Sequence, residues 1–379
     1  MANNEQKTKL KKLLAQADIK IGGNRAQDIQ INDDRFYDRV FSDGSLGVGE
    51  SYMDGWWSSK QLDKTMTLAF KANLAERLGL DDKVKFALYH IKARIANQQA
   101  GKKAYKNAQS HYDIGNDLYE PMLGRTMAYT CAYWAWGAKT LDQAQTDKYE
   151  LICKKLGLKK GMTVLDVGCG WGELAIYMAK KYGCEVVCLT PSHEQIAYIK
   201  KNAKSTKVKP VLTTWQDYSG KVKFDRIAAI GIMEHVGPKN YDAFITKMHN
   251  LVKPDGLFIL HTIGSNRSII SMDPWIETYI FPGGVLPSIK QIATAAEGKF
   301  VMEDWHNMGA NYDPTLMSWY KNFAKSYPKL DHKKYDERFR RMWEFYLLAC
   351  AGQFRARNIQ LWQVIYSPKG VVGGYKSVR

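Results

Sequence analysis

The stretch that decides the fold is residues 164–172, Val-Leu-Asp-Val-Gly-Cys-Gly-Trp-Gly. An apolar run that fits a buried strand leads directly into glycines at alternate positions, and a helical pattern follows. Glycine lets the chain turn tightly and lets a ligand approach the backbone. The helix after the turn offers free backbone amides in its first turn. The pattern therefore predicts a strand–turn–helix unit that binds a ligand at the turn.

Two ligands compete for this turn. A dinucleotide site has the form Gly-x-Gly-x-x-Gly, and its third glycine falls at Glu173, where a carboxylate repels a pyrophosphate. S-adenosylmethionine has no phosphate, and its ammonium group can be bound by acidic side chains near the turn. The residues favour S-adenosylmethionine, with a purely structural turn as the remaining alternative. The second strand ends without the acid that commonly binds ribose hydroxyls, so another polar group must replace that acid.

Short apolar runs alternate with helical patterns through the rest of the chain. This alternation predicts an α/β fold, a Rossmann-like arrangement with a mostly parallel seven-stranded sheet and helices on both faces. A long helical insertion, roughly 314–356, separates the last two strands. The predicted strands are 163–167, 185–189, 210–214, 226–230, 257–263, 301–305 and 359–366.

The chain divides near residue 100. Residues 97–112 are predicted to be a linker, residues 1–96 a small, mainly helical, lipid-binding domain, and residues 113–379 the catalytic domain. Two apolar stripes predict helices in the first domain, and basic side chains flank the second stripe, so this helix either lies on an anionic membrane or packs inside the domain. The first stripe is Leu62, Met66, Phe70, Leu74 and Leu78, the second is Val84, Leu88, Ile91 and Ile95, and the basic residues are Lys83, Lys85, Lys92 and Arg94.

The composition of the chain indicates which kinds of binding partner it favours. The net charge of +17 over 379 residues favours a polyanion, either nucleic acid or an anionic membrane face, over a neutral partner, although a generally basic enzyme is also consistent with it. No secretory signal or membrane-spanning run is evident, so we expect a cytoplasmic protein with peripheral membrane contact. The six cysteines form no Cys-x-x-Cys pair, and no cluster has metal-ligand spacing, so we expect reduced thiols and no metal.

Nine segments carry a resemblance to a known family. Through them the chain resembles the cyclopropane-fatty-acyl-phospholipid synthases and the related mycolic acid cyclopropane synthases, which have the class I S-adenosylmethionine-dependent methyltransferase fold. The resemblance extends over almost the whole chain, including the N-terminal domain. The segments are 47–57 (GVGESYMDGWW), 110–119 (SHYDIGNDLY), 129–134 (YTCAYW), 165–172 (LDVGCGWG), 231–241 (GIMEHVGPKNY), 260–264 (LHTIG), 273–282 (DPWIETYIFP), 301–313 (VMEDWHNMGANYD) and 354–363 (FRARNIQLWQ).

The resemblance implies a reaction. Members of the family transfer the methyl group of S-adenosylmethionine to a cis double bond of an unsaturated acyl chain, and the resulting carbocation loses a proton from the added methyl group to a bound bicarbonate as the ring closes. It also implies a phospholipid substrate at the inner face of the cell membrane and a homodimer.

The resemblance also implies site residues. The residues that match the bicarbonate site are Cys131, Glu234, His261, Ile263 and Tyr312. The residues that match the S-adenosylmethionine site are Tyr129, Thr130, Gly168, Gly170, Thr190, Gln195, Gln216, Asp217 and Ile230. Thr190 and Gln195 would then replace the missing ribose-binding acid. The chain departs from the family at Glu173 and Pro191, and neither departure removes a group that takes part in the chemistry.

Two rival functions are weighed against this one. A lipid methyltransferase with a methyl-branched or hydroxylated product would form the same carbocation. A nucleic-acid methyltransferase would suit the basic charge, but the chain has no Asn/Asp-Pro-Pro-Tyr motif and no recognisable nucleic-acid module, so we expect no nucleic-acid partner.

Overall fold

The computed structural model describes residues 4–77 and 114–379, which group into two compact units. We call them the helical unit and the sheet unit. Of the described residues, the helical unit comprises 4–77, Ile270–Pro282 and Tyr312–Ile359, and the sheet unit comprises 114–269, Gly283–Asn311 and Gln360–Arg379. The predicted linker and the predicted helix over 84–95 lie outside the described residues. The predicted domain boundaries and the lipid-binding role of residues 1–96 stay predictions.

Helices and strands alternate in the part of the chain that gives the sheet unit. The helices are α1 (Asn4–Gln16), α2 (Arg35–Met53), α3 (Leu62–Lys71), α4 (Leu74–Arg77), α5 (Asn116–Leu123), α6 (Leu141–Lys155), α7 (Glu173–Tyr182), α8 (His193–Asn202), α9 (Met233–Val236), α10 (Tyr241–Leu251), α11 (Pro274–Tyr279), α12 (Ile289–Ala296), α13 (Tyr312–Ser326) and α14 (Glu337–Arg355). The strands are β1 (Ile29–Ile31), β2 (Trp57–Ser59), β3 (Thr163–Val167), β4 (Glu185–Thr190), β5 (Val208–Leu212), β6 (Phe224–Ile230), β7 (Val252–Ser265), β8 (Val301–Asn307) and β9 (Ile359–Ser367).

The seven-stranded sheet has the order β5-β4-β3-β6-β7-β9-β8. The pairs β5–β4, β4–β3, β3–β6 and β6–β7 are parallel, and β8 pairs antiparallel with β9. The predicted fold class, a Rossmann-like α/β fold with a mostly parallel sheet, is confirmed. The predicted strand 210–214 is displaced by two residues to Val208–Leu212. Pro210 therefore lies inside a strand, which is tolerated because β5 is at the edge of the sheet.

Two apolar cores cover the two faces of this sheet. Successive side chains of a strand point to opposite faces. Leu165 accordingly belongs to one core, with Phe244 of α10. Val164 belongs to the other, with Ile152 of α6. Because helices cover both faces, both faces of these strands carry mainly apolar side chains, which is the pattern that made them recognisable in the sequence.

The helical unit has an aromatic core built from three separate parts of the chain. The ring of Phe345 in α14 lies 5.4 Å from that of Tyr52, 6.3 Å from that of Trp57 and 4.7 Å from that of Trp275. Gly49 leaves the space that Trp275 occupies, since a Cβ there would lie 2.3 Å from the indole ring. The predicted helical insertion is therefore present as α13 and α14, and α14 packs against the N-terminal segment.

The first predicted N-terminal helix is interrupted, contrary to its continuous apolar stripe. Helix α3 ends at Lys71 and α4 begins at Leu74. Asn73 between them has a φ of 50°, the left-handed conformation that ends helices. The apolar stripe continues across the break, because Leu62 of α3 and Leu74 of α4 are both buried. Leu78 lies outside the described residues.

Candidate active site

The glycine turn joins β3 to α7 as predicted. Gly168 and Gly170 have φ values of 70° and 56°, which favour glycine. A Cβ on Gly168 would also lie 1.9 Å from the side chain of Ile232. The amide of Cys169 donates to the carbonyl of Leu189 at 3.0 Å, so the turn is attached to the end of β4. The turn therefore lies beside the carboxyl ends of two neighbouring strands.

Thr190 and Gln195 form one buried polar group at the end of β4. The Thr190 hydroxyl donates to the Gln195 Oε1, and both side chains are almost fully buried. Ser192 holds the two residues together, because its hydroxyl accepts from the Gln195 amide at 3.3 Å and its own amide donates to the Thr190 hydroxyl at 3.2 Å. Within the described residues, the Gln195 Nε2 has no hydrogen-bond partner. A buried donor without a partner fits a polar ligand such as a ribose.

The carboxyl ends of β6 and β5 are the next part of this edge, and at or after them lie Ile230, Gln216 and Asp217. Ile230 is the last residue of β6, and the other two lie in the segment after β5. The Asp217 carboxylate accepts from the Thr214 hydroxyl at 2.7 Å, and the Gln216 carbonyl accepts from the Lys247 ammonium at 2.6 Å. Because β5, β4, β3 and β6 are parallel neighbours, their carboxyl ends lie along one edge of the sheet, where ligands bind in such folds.

Residues 129–131 precede α6 and contact the same edge. The Tyr129 ring lies 5.2 Å from that of Tyr119, which in turn lies 5.4 Å from the ring of Trp171 in the glycine turn. A Cβ on Gly231, just after β6, would lie 3.0 Å from the methyl group of Thr130. The segment is therefore packed between the turn and the end of β6.

Lys148 and Asp166 form a buried ionisable pair that the sequence analysis did not single out. The Lys148 ammonium donates to the Thr130 hydroxyl at 2.8 Å. Burial lowers the pKa of Lys148 to about 7 and raises the pKa of Asp166 to about 7, and the attraction between the two charges partly offsets both shifts. In the described part of the chain, the Asp166 Oδ2 has no hydrogen-bond partner.

Glu234 lies in the single turn α9, directly after β6. Its Oε1 accepts from the Ile263 amide at 2.6 Å, and its Oε2 has no hydrogen-bond partner among the described residues. Burial raises the pKa of the Glu234 carboxyl to about 7. Glu234 is thus poised between its neutral and ionised forms near neutral pH.

His261 lies in β7, two residues before Ile263. Its carbonyl accepts from the Gly231 amide at 2.8 Å, and its Nδ1 lies 3.2 Å from the Nε2 of Gln363. Burial, with the nearby Lys148 ammonium, lowers the pKa of His261 well below its usual range, so the imidazole is neutral. Its Nε2 has no hydrogen-bond partner in residues 4–77 and 114–379.

Cys131 and Tyr312 complete the predicted set. Cys131 is fully buried in the sheet unit, where its thiol donates to the Ala132 carbonyl at 3.2 Å. Tyr312 begins α13 in the helical unit, where its ring packs against Phe354 with centroids 4.4 Å apart. The structure therefore brings Glu234 and Ile263 into direct contact within one unit, with His261 in the same strand as Ile263, and the role of Tyr312 stays a prediction.

Comparison with known proteins agrees with this geometry. The sequence profile described as "Mycolic acid cyclopropane synthetase" matches residues 99–364. The chain belongs to this family.

Relatives in the cyclopropane synthetase family cover most of the chain. The cyclopropane-fatty-acyl-phospholipid synthase of Escherichia coli (strain K12) is 47% identical over 367 residues, which are 97% of this chain and 94% of that protein. A probable fatty acid methyltransferase of Pseudomonas putida is 30% identical over 79% of each chain. The crystal structure of the mycolic acid cyclopropane synthase CmaA1 complexed with SAH and CTAB has 33% identity and a TM-score of 0.63, and it covers 69% of this chain and 97% of that chain. This chain is therefore an enzyme.

Residues missed in the sequence had a recognisable signal. Lys148 occupies a buried position of α6, in the same stripe as Ala144 and Ile152. Gln363 is a polar residue inside the apolar strand β9, which is buried along nearly its whole length. A polar side chain in a position that the hydrophobic pattern assigns to the core is costly to bury, and such residues point to a site.

Proposed function

We propose that this enzyme transfers a methylene group from S-adenosylmethionine to the cis double bond of unsaturated acyl chains in membrane phospholipids and forms a cyclopropane ring. The methyl group leaves the sulfonium and bonds to one alkene carbon, which leaves S-adenosylhomocysteine and a carbocation at the other carbon. Loss of a proton from the added methyl group then closes the ring. The observation that carries the proposal is that two buried side chains, Glu234 and His261, each retain one polar atom without a hydrogen-bond partner among the described residues.

The methyl donor is proposed to bind at the glycine turn. At Gly170 no atom of the described residues lies within 4 Å of the position of a Cβ, so a ligand can approach the backbone there, and the Thr190–Gln195 pair supplies the polar contact that the ribose needs. Asp166 is suited to the ammonium of the donor, since an ionised carboxylate with an unpartnered oxygen gains most from a cation. Tyr129, Thr130, Gln216, Asp217 and Ile230 are proposed as the other contacts, and all of them lie next to the turn or after neighbouring strands.

The base site is proposed to bind bicarbonate. When bound, bicarbonate supplies the base that accepts the proton from the added methyl group. The neutral His261 can donate from one ring nitrogen to an oxyanion, and Glu234 can accept a hydrogen bond when it is ionised. A carboxylate beside an anion is unfavourable, and a pKa of about 7 for Glu234 allows it to carry a proton when needed.

Cys131, Ile263 and Tyr312 are proposed as further members of the base site. The Ile263 amide already binds Glu234, so its proposed role is to hold that carboxylate in place. Tyr312 is proposed to donate a hydrogen bond from its phenol to the same anion. The thiol of Cys131 is proposed to act by hydrogen bonding, since methyl transfer to an alkene needs no acyl intermediate.

The proposed place of action is the inner face of the cell membrane. The net charge of +17 favours an anionic lipid surface. Among the helices in the described ranges, none is long and apolar enough to cross a membrane. Peripheral attachment, a cytoplasmic location and a homodimer are therefore proposals that follow from the charge and from family membership.

A second candidate product is a methyl- or methylene-branched acyl chain, because one relative is called a probable fatty acid methyltransferase. The deciding experiment incubates the purified enzyme with S-adenosylmethionine, bicarbonate and vesicles of a cis-monounsaturated anionic phospholipid. Mass analysis and proton NMR of the released acyl chains would show a gain of one CH2, loss of the vinyl protons and high-field ring protons. A gain of CH2 with vinyl protons retained would establish the branched product, and a gain of water would establish hydration.

If no product forms, the proposal that the substrate is a phospholipid is wrong. Vesicle flotation and a salt-dependent DNA gel shift on the same preparation would then compare the two polyanions. Binding to DNA with no binding to vesicles would favour the nucleic-acid alternative.

A further inference from the structure

Gln363 is a buried amide whose side chain reaches the imidazole of the base site. It lies in β9, which is the sheet neighbour of β7, and its side chain is fully buried. Its Nε2 lies 3.2 Å from the Nδ1 of His261, within hydrogen-bond distance. Ile365, two residues further along β9, points to the same face of the sheet and belongs to the apolar core on that face. A buried amide in such surroundings is costly unless it makes a hydrogen bond, and this is the contact that its nitrogen makes.

The direction of this hydrogen bond follows from the placement of the Gln363 amide, whose nitrogen faces the ring and whose Oε1 has no hydrogen-bond partner among the described residues. The Nε2 group of Gln363 has two protons and no lone pair to offer, so it can only donate. The Nδ1 of His261 must therefore accept. A neutral imidazole has one ring proton, which then lies on Nε2. In the described residues that Nε2 has no partner, so the ring presents a buried, unused N–H donor.

We propose that Gln363 is a positioning residue that fixes His261 in the tautomer with the proton on Nε2, so that the ring donates a hydrogen bond to the oxyanion of the base site. The inference rests on the proposed function for the identity of that anion. The tautomer itself does not depend on it.

The other polar groups near His261 do not replace Gln363 in this role. The charged or titratable groups that act on the ring are Lys148, Lys155 and His306. The Lys148 ammonium donates to the Thr130 hydroxyl, and the Lys155 ammonium lies 2.9 Å from the Nδ1 of His306. Both ammonium groups therefore have other partners, and both disfavour a protonated imidazolium. Burial, together with these two charges, lowers the pKa of His261 and keeps the ring neutral, and Gln363 determines where its one proton lies.

The test compares Gln363→Glu and Gln363→Leu with the unaltered enzyme. A carboxylate at 363 can only accept, so it draws the proton to Nδ1 and removes the donor at Nε2, while leucine leaves the tautomer unbiased. Gln360→Leu is the matched control, since Gln360 is also a buried amide of β9 but contacts Asn307 at 3.2 Å instead of His261.

The first measurement is the tautomer, from the nitrogen-15 chemical shifts of histidine-labelled enzyme without substrate. His261→Gln identifies the signal. We expect the proton on Nε2 in the unaltered enzyme and in Gln360→Leu, and on Nδ1 in Gln363→Glu. A proton on Nδ1 in the unaltered enzyme overturns the inference, whether or not the Gln363 variants fold.

The second measurement separates positioning from a structural role. With both Gln363 variants we expect a fall in kcat of about 10–100-fold and a raised bicarbonate KM, as for other residues that orient a functional histidine. The Kd for S-adenosylmethionine should be unchanged in both. Unchanged kcat and bicarbonate KM would overturn the inference. The expected tautomers together with a product other than a cyclopropane would instead overturn the proposed function and leave the tautomer assignment intact.

Discussion

The Oε1 of Glu234 accepts a hydrogen bond from the backbone amide of Ile263 at 2.6 Å. This contact joins the turn after β6 to β7, the strand that also carries His261. One carboxylate oxygen is thereby held in place while the other has no protein partner among the described residues. A carboxyl group oriented in this way keeps one oxygen available to a ligand.

Replacement of Glu234 by glutamine should reduce ring formation strongly. The amide keeps the size of the side chain and can no longer ionise, so we expect a loss in kcat of about 10²–10⁴-fold, the range typical of a lost acid–base group. Product analysis by mass measures the loss. Binding of S-adenosylmethionine should be unchanged. Glu297→Gln, at an exposed glutamate, is the control, and a Glu234→Gln enzyme with more than half of the control's activity would exclude this role.

The same substitution should change how stability depends on pH. Burial raises the pKa of Glu234 from 4.5 to about 7, so between these values the folded protein holds a proton that the unfolded chain releases. The free energy of unfolding of the unaltered enzyme should therefore fall as pH rises through 7. The expected fall is at most on the order of 3 kcal/mol, from about 1.4 kcal/mol per pKa unit.

Urea unfolding at pH 5.5, 7 and 8.5 tests this. Because Asp166 and Lys148 also titrate in this range, the quantity to compare is the difference between Glu234→Gln and the unaltered enzyme. The variant should become relatively more stable as pH rises. A difference that is constant with pH would show that the Glu234 carboxyl has an ordinary pKa.

Thr190→Val should weaken binding of S-adenosylmethionine. Valine has the shape of threonine but cannot donate a hydrogen bond to the Gln195 Oε1. The Gln195 amide, whose nitrogen is proposed to contact the ribose, then loses the contact that orients it. A lost hydrogen bond of this kind is worth about 0.5–1.5 kcal/mol, or roughly 2–13-fold in Kd by calorimetry. Gln195→Leu should have a similar effect, and the double variant should lose less than the sum. Thr206→Val, whose hydroxyl contacts the Ala203 carbonyl, is the control, and strict additivity would contradict a shared role.

Affinity for S-adenosylmethionine should fall as pH drops below about 7. Burial raises the pKa of Asp166 to about 7, and only the ionised carboxylate attracts the donor's ammonium. Lys148→Met removes the cation that favours this ionised form, so the midpoint of the pH dependence should move to higher pH. Calorimetric titration from pH 6 to 8.5 measures both. A pH-independent Kd in the unaltered enzyme would show that Asp166 does not face the ammonium.

Charge reversal in the basic segment should weaken binding to membranes. Lys83, Lys85 and Lys92 lie outside the described residues, and their docking role is a prediction from the sequence. Replacement of all three by glutamate should reduce flotation with anionic vesicles, since each basic residue near such a surface is worth about 1 kcal/mol. The Kd for S-adenosylmethionine should not change. Unchanged flotation would place the docking surface elsewhere.

Much of the sheet unit could be predicted from the sequence because its signals are local. The turn at 168–172 follows its strand directly, and Thr190 lies five residues from Gln195, so both groups depend on short pieces of chain. The two differences between the predicted and the observed elements also have local causes. The break at Asn73 depends on one residue's backbone conformation, and the displacement of β5 depends on an edge position that tolerates Pro210.

The sequence by itself determined the strands, the glycine turn and the family, because hydrophobic periodicity and turn chemistry act between residues close in the chain. The site residues named from it stay predictions. Only the tertiary structure decided which distant side chains meet. Gln363 reaches His261 across 102 residues because β9 lies beside β7 in the sheet, and Lys148 acts on Asp166 because α6 packs on the face of the sheet behind β3. Strand order and helix packing are decided by the burial of apolar side chains from the whole chain together, not by residues close in sequence. The same burial shifts the pKa values of the buried ionisable groups.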